Sequence, residues 1–327
     1  MGPHIRFVAI LFLSTVALSQ QPLPLDSDND GLSDQLEQSL LTQFTPTFMI
    51  GEHECSTVPA EFEPRLQAPK VLAENSTIYG QAFPAATSTP TNPIVELHYY
   101  HLWKQDCGPH GHPLDAEHVA VLVHSRDSQH WKATYWFAAA HENTVCDVSH
   151  LTRAATLKAE DHGATVWISP GKHASYLNQT LCRRGCGADR CEAMKPLAVT
   201  QVVNLGELKS PMSGAAWSSS PQWPLAAKMS TTDFPAEPIA RLETLPTSDI
   251  AWFNPGRHPV QGVIAISSST ANAIGNSGEN TSTAISLARD STGNALSKSY
   301  RKTIHALGTS AHHVHDALEP KAKSKPE

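Results

Sequence analysis

From about Met49 to Pro255 the chain is a succession of short runs rich in β-branched and aromatic residues, each closed by proline, glycine or asparagine. They are TIYGQAF, IVELHYYHLW, HVAVLVHS, HWKATYWFAAA, ATVWIS and LAVTQVVNL. Runs of this length with turn residues between them read as strands, and no long stretch here repeats apolar residues at helical spacing. Many short strands without interleaved helices argue against a parallel α/β sheet and for a mainly β fold, a β-sandwich or jelly roll. That domain is expected at residues 46–255.

The flanks differ. MGPHIRFVAILFLSTVALSQ carries Arg6, an apolar run from Phe7 to Leu18 and the small-x-small pattern Ala17-Leu18-Ser19, so residues 1–19 read as a cleaved secretory signal. The run is shorter than the roughly 20 residues that span a bilayer, and no later segment is as apolar. The mature protein is expected to be secreted and extracellular, or periplasmic in a bacterium, with no integral membrane segment. Residues 256–327 shift to Ser, Thr, Asn, Ala and Gly and read as a low-complexity, partly disordered tail with room for one helix near Tyr300. That tail holds His312, His313, His315 and Asp316 with His305 before them; on a helix His305, His312 and Asp316 could share a face and ligate a metal, or the histidines stand in solvent. A formal net charge of -7 makes the chain a poor partner for phosphate backbones, so nucleic acid is set aside.

Cys55, Cys107, Cys146, Cys182, Cys186 and Cys191 are an even number in an exported chain, which favours disulfides, with the connectivity open. The cluster LCRRGCGADRC could instead hold zinc with His173, although its spacing is not that of a strong zinc motif. Asn75, Asn178 and Asn280 stand in glycosylation sequons, used only in a eukaryotic secretory pathway.

DSDNDGLSDQLE, residues 26–37, fits the D-x-D-x-D-G-x5-E calcium loop at each required position. Oxygen ligands two residues apart wrap a hard cation, and glycine permits the turn between them. Asp26, Asp28 and Asp30 are the expected direct ligands for Ca2+, Leu32 gives its carbonyl, Asp34 acts directly or through water, and Glu37 closes the site. Ser33 can cap a following helix, whose Leu36, Leu40, Leu41 and Phe44 share one face until Thr45-Pro46 stops it. Residues 20–45 thus form a calcium loop and helix, and the pattern resembles the single loops of secreted dockerin-like and thrombospondin-type-3-like proteins. A solvated acidic linker is the alternative.

GHPLDAEHV, residues 111–119, is the second concentration of ligand-type side chains. If the strand HVAVLVHS continues back through the acids, Asp115, Glu117, Val119, Val121 and Val123 share one face. Two carboxylates on a core-facing surface are costly unless a cation neutralises them. His112, before Pro113, can fold over the strand end, so His112, Asp115 and Glu117 offer one nitrogen and two carboxylates to a divalent cation such as Ca2+, Mg2+, Mn2+ or Zn2+. Otherwise Asp115 accepts from turn amides, Glu117 pairs with an arginine such as Arg126, and His118 faces solvent from the other side.

The same segment resembles the GHxxDWE motif of necrosis-inducing toxin-like proteins, and the HxGDWEHV segment of the vacuolar protein sorting-associated protein sixty-two family. The second likeness continues in order through LLTQFTPTFMIGEHE, PAEFEP and GATVWISPGKHASYLN, covering about residues 36–178. The toxin-like resemblance implies a divalent cation on His112, Asp115 and Glu117 at one end of a β-sandwich, with Asp106 the nearest match to a further acidic ligand. The family tryptophan is Ala116 here, and the glycine before HAS is Lys172. The sixty-two-family segment implies a contact role for His173, next to which His141 is the other rim candidate. His98 and His101 lie on opposite strand faces, so at most one faces that rim.

No GxSxG elbow, HExxH, P-loop or dinucleotide fingerprint occurs. The first expectation for function is a secreted, divalent-cation-binding β-sandwich that binds an extracellular glycan, lipid or protein without chemistry. The alternative is a metal-dependent hydrolase in which the ion activates water and His173 or His141 is the general acid/base.

Overall fold

The computed structural model describes residues 25–64, 66, 68–107, 111–185, 189–205, 228–229, 231–246 and 250–257. The expected signal and almost all of the expected tail, with Asn280 and the HHVHD histidines, lie outside the described residues. The elements in order are α1 (Asp34–Gln43), β1 (Thr47–Gly51), β2 (Ala60–Phe62), β3 (Val71–Glu74), β4 (Thr77–Pro84), β5 (Ile94–Gln105), β6 (Pro113–Ser125), β7 (Trp131–Ala138), β8 (His150–Arg153), α2 (Ala154–Leu157), β9 (Thr165–Ile168), β10 (Ser175–Tyr176), α3 (Gln179–Arg184), β11 (Met194–Pro196), β12 (Gln201–Leu205), α4 (Ala236–Glu243) and β13 (Ala251–Trp252).

Two sheets make the sandwich. The larger has the order β12-β4-β5-β6-β7-β8-β13, the smaller β10-β9-β1-β11, and β2-β3 is a separate ribbon. All pairings are antiparallel except β12 with β4 and β1 with β9. The strand alternation expected from sequence decides the packing. Val95, Leu97, Tyr99 and Trp103 of β5 join Val119, Val121 and Val123 of β6 in one core with Phe48, Ile50, Val166 and Ile168 of the smaller sheet. Each such side chain, removed from water, contributes on the order of 1.5–3 kcal/mol.

The opposite face of the larger sheet is also covered. Ala120, Leu122, Phe137 and Leu151 pack against Phe234, Leu242 and Leu245 from a segment that includes α4. Double coverage explains why the central strands are almost continuously buried, as is usual for strands packed on both sides.

Helix α1 forms as read. Ser33 accepts from Leu36 N at 3.3 Å, and Leu40, Leu41 and Phe44 are fully buried. It lies so close to β4 that a Cβ on Gly80 would meet Leu41 Cδ1 at 2.8 Å, which is why a glycine interrupts the run TIYGQAF.

Cys55–Cys107 and Cys182–Cys191 are disulfides, with Cα atoms 6.5 and 5.2 Å apart. Cys146 is also disulfide-bonded, and Cys186 lies outside the described residues. Bridging of Cys182 to Cys191 excludes the zinc reading of that cluster. No helix among the described residues is long and apolar enough to cross a membrane.

Gly163 sits where the end of α1 meets the approach to β9. A Cβ there would fall 1.8 Å from the Thr45 carbonyl oxygen and 2.9 Å from Pro46 Cα, both rigid backbone atoms. Gly163→Ala is expected to lower stability by about 3 kcal/mol, read as a drop in urea midpoint with an unchanged slope. An unchanged midpoint would show that this approach is not a close one.

Candidate functional site

The loop before α1 brings three of its predicted ligands together. Oxygens of Asp26, Asp28 and Asp30 lie within 4.8 Å of one another. Asn29 and Gly31 take φ of 63° and 95°, turning the chain so that Gly31 N donates to Asp26 Oδ2 at 3.1 Å and Leu32 N to Asp30 Oδ1 at 2.7 Å. Leu32 is half-buried against the core. Asp34 is turned away, accepting from Ser27 N at 2.8 Å and Ser27 Oγ at 2.6 Å.

Glu37 is 1% exposed. Its Oε2 accepts from Asn204 Nδ2 at 2.9 Å, while its Oε1, like Asp26 Oδ1, is buried without a hydrogen-bond partner. Burial first, offset in part by Asn204 and reinforced by Asp28, Asp30 and Asp34, pushes the Glu37 carboxyl up to about 8. An oxygen-only donor set under mutual repulsion, with orphaned buried oxygens, fits a hard cation. Asn204 orients the Glu37 carboxylate and leaves it lone pairs on both oxygens for a cation.

The second cluster lies at one end of the sandwich. The strand does run back through the acids, and Asp115 and Glu117 fall on the inner face in line with Val119. Asp115 Oδ2 meets His173 Nδ1 at 2.9 Å, and His173 Nε2 is 3.5 Å from Glu54 Oε1. His173 comes from the loop between β9 and β10, has a φ of 52°, and stacks on Trp103 with ring centroids 3.9 Å apart. Burial opposes its charge, but the bonds to Asp115 and Glu54 outweigh burial and raise its pKa.

Asp106 Oδ2 takes Lys172 Nζ at 2.7 Å. Glu117 Oε2 takes Lys228 Nζ at 3.2 Å, and the same ammonium donates to the Ala116 carbonyl at 2.6 Å. It reaches that carbonyl because β7 begins pairing with β6 only at Val119, leaving the β6 edge open. Burial pushes both Glu117 and, in the opposite sense, Lys228; the charges of Glu117, Glu142 and Asp115 hold the proton on the lysine.

His112 lies against Asp106 and its own backbone. It is 57% exposed, its Nε2 is 3.5 Å from Asp106 Oδ2, and its Nδ1 is 2.8 Å from the Leu114 carbonyl. Asp115 and Glu117 are instead taken by His173 and Lys228. A divalent ion there would compete with His173 and Lys228 for the carboxylates. His141 Nε2 bonds Asp189 Oδ2 at 2.6 Å, beside Tyr176, whose buried hydroxyl has no hydrogen-bond partner.

Of the two β5 histidines, His101 faces this end. Its Nδ1 accepts from Trp103 Nε1 at 2.8 Å and its Nε2 pairs with Ser175 Oγ at 2.7 Å. Burial, then the charges of His173 and Lys228, holds it neutral, well below the usual imidazole range. His98 and His118 point to the outer face, where they are buried rather than solvated.

Lys228, Glu54, Trp103 and Tyr176 were not singled out from sequence. Glu54 and Asp106 each precede one half of the Cys55–Cys107 disulfide, so a readable connectivity would have placed them side by side. Lys228 sits in no strand or helix pattern and carried no signal.

Glu37 generates a pH dependence. The folded carboxyl keeps its proton up to about 8, whereas the ordinary value is 4.5, so the folded state binds the extra proton across that window. Its contribution to stability is full below the lower value and is lost as pH rises through the upper one. In calcium-free buffer the urea midpoint should fall between roughly pH 5 and pH 8, and Glu37→Gln should flatten the fall. An equally steep fall in that variant would assign it to another group.

No family model matches this chain, and no curated protein matches it. Solved structures do. NLPPya in complex with mannosamine is 16% identical, over 60% of this chain and 79% of that one, with a TM-score of 0.32. Necrosis and ethylene inducing protein 2, from the causal agent of cocoa's witches' broom disease, is 17% identical over 58% and 83%, with a TM-score of 0.33. The non-toxic HaNLP3 protein is 13% identical over 59% and 80%, with a TM-score of 0.31.

Proposed function

We propose that this chain is a secreted, calcium-stabilised β-sandwich that works as a binding module, with the rim formed by Asp106, His112, Asp115, Glu117, Lys172 and Lys228 as its contact surface for a polar extracellular ligand. The observation that carries binding over hydrolysis is that the rim carboxylates already have protein cations: Asp115 has His173, Asp106 has Lys172 and Glu117 has Lys228. A hydrolase needs a base free to take a proton from water, within hydrogen-bond reach of it. His173 is wholly buried beneath Trp103, and His141 is engaged by Asp189. A divalent ion on His112, Asp115 and Glu117 belongs to this reading only as an exchangeable occupant that displaces Lys228 and His173. The exposed ring of His112 and the ammonium of Lys172 offer donors to hydroxyl or phosphate oxygens, so a glycan, a lipid headgroup or a protein surface can all be screened with one protein.

The rim is tested by incubating the mature protein with glycan arrays and anionic vesicles beside a panel of phosphoester, ester and glycoside substrates. Saturable binding weakened about tenfold by Lys172→Ala, equivalent to about 1.4 kcal/mol, with no turnover, is the expected result. Turnover that Asp115→Asn and Glu117→Gln both abolish while the fold persists would replace this reading with the hydrolase.

The loop is tested separately by limited proteolysis. Calcium at a hundred times its dissociation constant adds about 2.7 kcal/mol to the bound form, enough to protect the segment ahead of α1, and Asp28→Ala should abolish the protection. Equal cleavage with and without calcium would remove the ion from this account.

A further inference from the structure

The outer face of the larger sheet carries a group of buried ionisable side chains that neither the calcium loop nor the rim uses. Register places Tyr100 opposite His118 and His98 opposite Ala120, so His98 and His118 are diagonal neighbours on adjoining strands with their rings on one face. The rings lie parallel, 8° apart, with centroids at 6.1 Å. Asp233, from the segment leading into α4, enters against both: its Oδ2 is 2.9 Å from His118 Nε2 and 3.4 Å from His98 Nδ1. All three residues are buried, at 0%, 2% and 5% exposure, and their ligand atoms lie within 4.8 Å of one another.

We propose that His98 Nδ1, His118 Nε2 and Asp233 bind a divalent transition ion of the zinc class, which clamps the segment 231–246 onto the sheet. Two imidazoles and one carboxylate suit zinc and its neighbours rather than calcium or magnesium, which take oxygen. Ligand atoms around a tetrahedral zinc with bonds of 2.0–2.1 Å are about 3.3 Å apart, close to the separations found here.

The surroundings are those of an oriented ligand. Glu96 Oε2 lies 3.2 Å from His98 Nε2 and is itself held by Asp233 N at 3.3 Å, while Thr232 Oγ1 donates to its other oxygen at 2.6 Å. A carboxylate on the far nitrogen fixes the imidazole tautomer that leaves a lone pair on Nδ1, where an ion would replace the contact from the Tyr100 hydroxyl at 3.3 Å. His118 Nδ1 is buried with no hydrogen-bond partner, and Nε2 of that ring bonds Asp233 at 2.9 Å. Two carboxylates are buried against the two imidazoles, and a divalent ion would take the place of any proton the rings hold between them.

The test uses the full chain, stripped by chelator and then saturated with calcium so that the N-terminal loop does not report. Zinc chloride is titrated while bound zinc per chain and melting temperature are measured for the wild type, His118→Gln and Asp233→Asn. Histidine is abundant elsewhere, 18 in the whole chain, so the decisive quantity is a difference. The wild type should bind one zinc more than either variant, and only its melting temperature should rise. If the variants do not fold, X-ray absorption of the zinc-loaded wild type decides, with two imidazole nitrogens and carboxylate oxygen as the expected shell. Equal zinc and equal shifts in all three proteins, or a wild-type zinc lacking that shell, overturns the proposal and leaves the cluster a hydrogen-bonded clamp.

Discussion

Burial of the β5/β6 pair on both faces is the constraint from which the rest follows. One face packs on the smaller sheet and the other on the segment around α4, so the polar side chains in the buried stretch of these strands have no easy exit to water. Each must find its partner inside. Asp115 and Glu117 find theirs in His173 and Lys228, His101 in Trp103 and Ser175, and His98 and His118 in Glu96 and Asp233. The polar architecture is thus a set of long-range pairings, each tying the central strands to a different piece of chain.

Charge balance separates the two acidic clusters first noticed in the sequence. At the rim, carboxylates come with lysine and histidine, and the pairings hold Lys228 and His173 in their charged forms. At the N-terminal loop, Asp26, Asp28, Asp30, Asp34 and Glu37 gather within one turn of chain, and Glu37 answers by keeping its proton up to about 8. Like charges that a protein does not neutralise with its own cations are costly to bury, and the cost differs by site. The loop gains most from an external ion, whereas at the rim such an ion would exchange one set of pairings for another.

What the sequence disclosed follows the range of the forces involved. The strand runs, the capped helix after the loop and the shared face of Asp115, Glu117 and Val119 depend on local spacing, and all are present. Extension of β6 back to Pro113 was legible because alternation persists through the acids. The reading of His118 as solvent-facing failed, because the cover on that face comes from Phe234 and Leu242, more than a hundred residues away in a stretch without strand periodicity. Lys228 and Asp233 were hidden for the same reason. Leu114, at a φ of 63°, turns the chain at the start of β6, and the His112 ring settles on its own backbone, a local turn that spacing does not disclose.

The loop is more than an appendage, because its helix protects the weakest part of the larger sheet. Among the described residues β12 is an edge strand paired only with β4, and an open edge invites pairing with another chain. Helix α1 closes over it from the side: Gln38 Nε2 donates to the Val202 carbonyl at 3.3 Å, and Asn204 donates to Glu37 at 2.9 Å. Glu37 is therefore shared between the aspartate loop and the sheet edge. Asn204 holds the carboxylate that faces Asp26 and Asp28, as a ligating carboxylate is commonly held by a further hydrogen bond. The occupancy of the loop and the security of the β12 edge are linked through this one carboxylate.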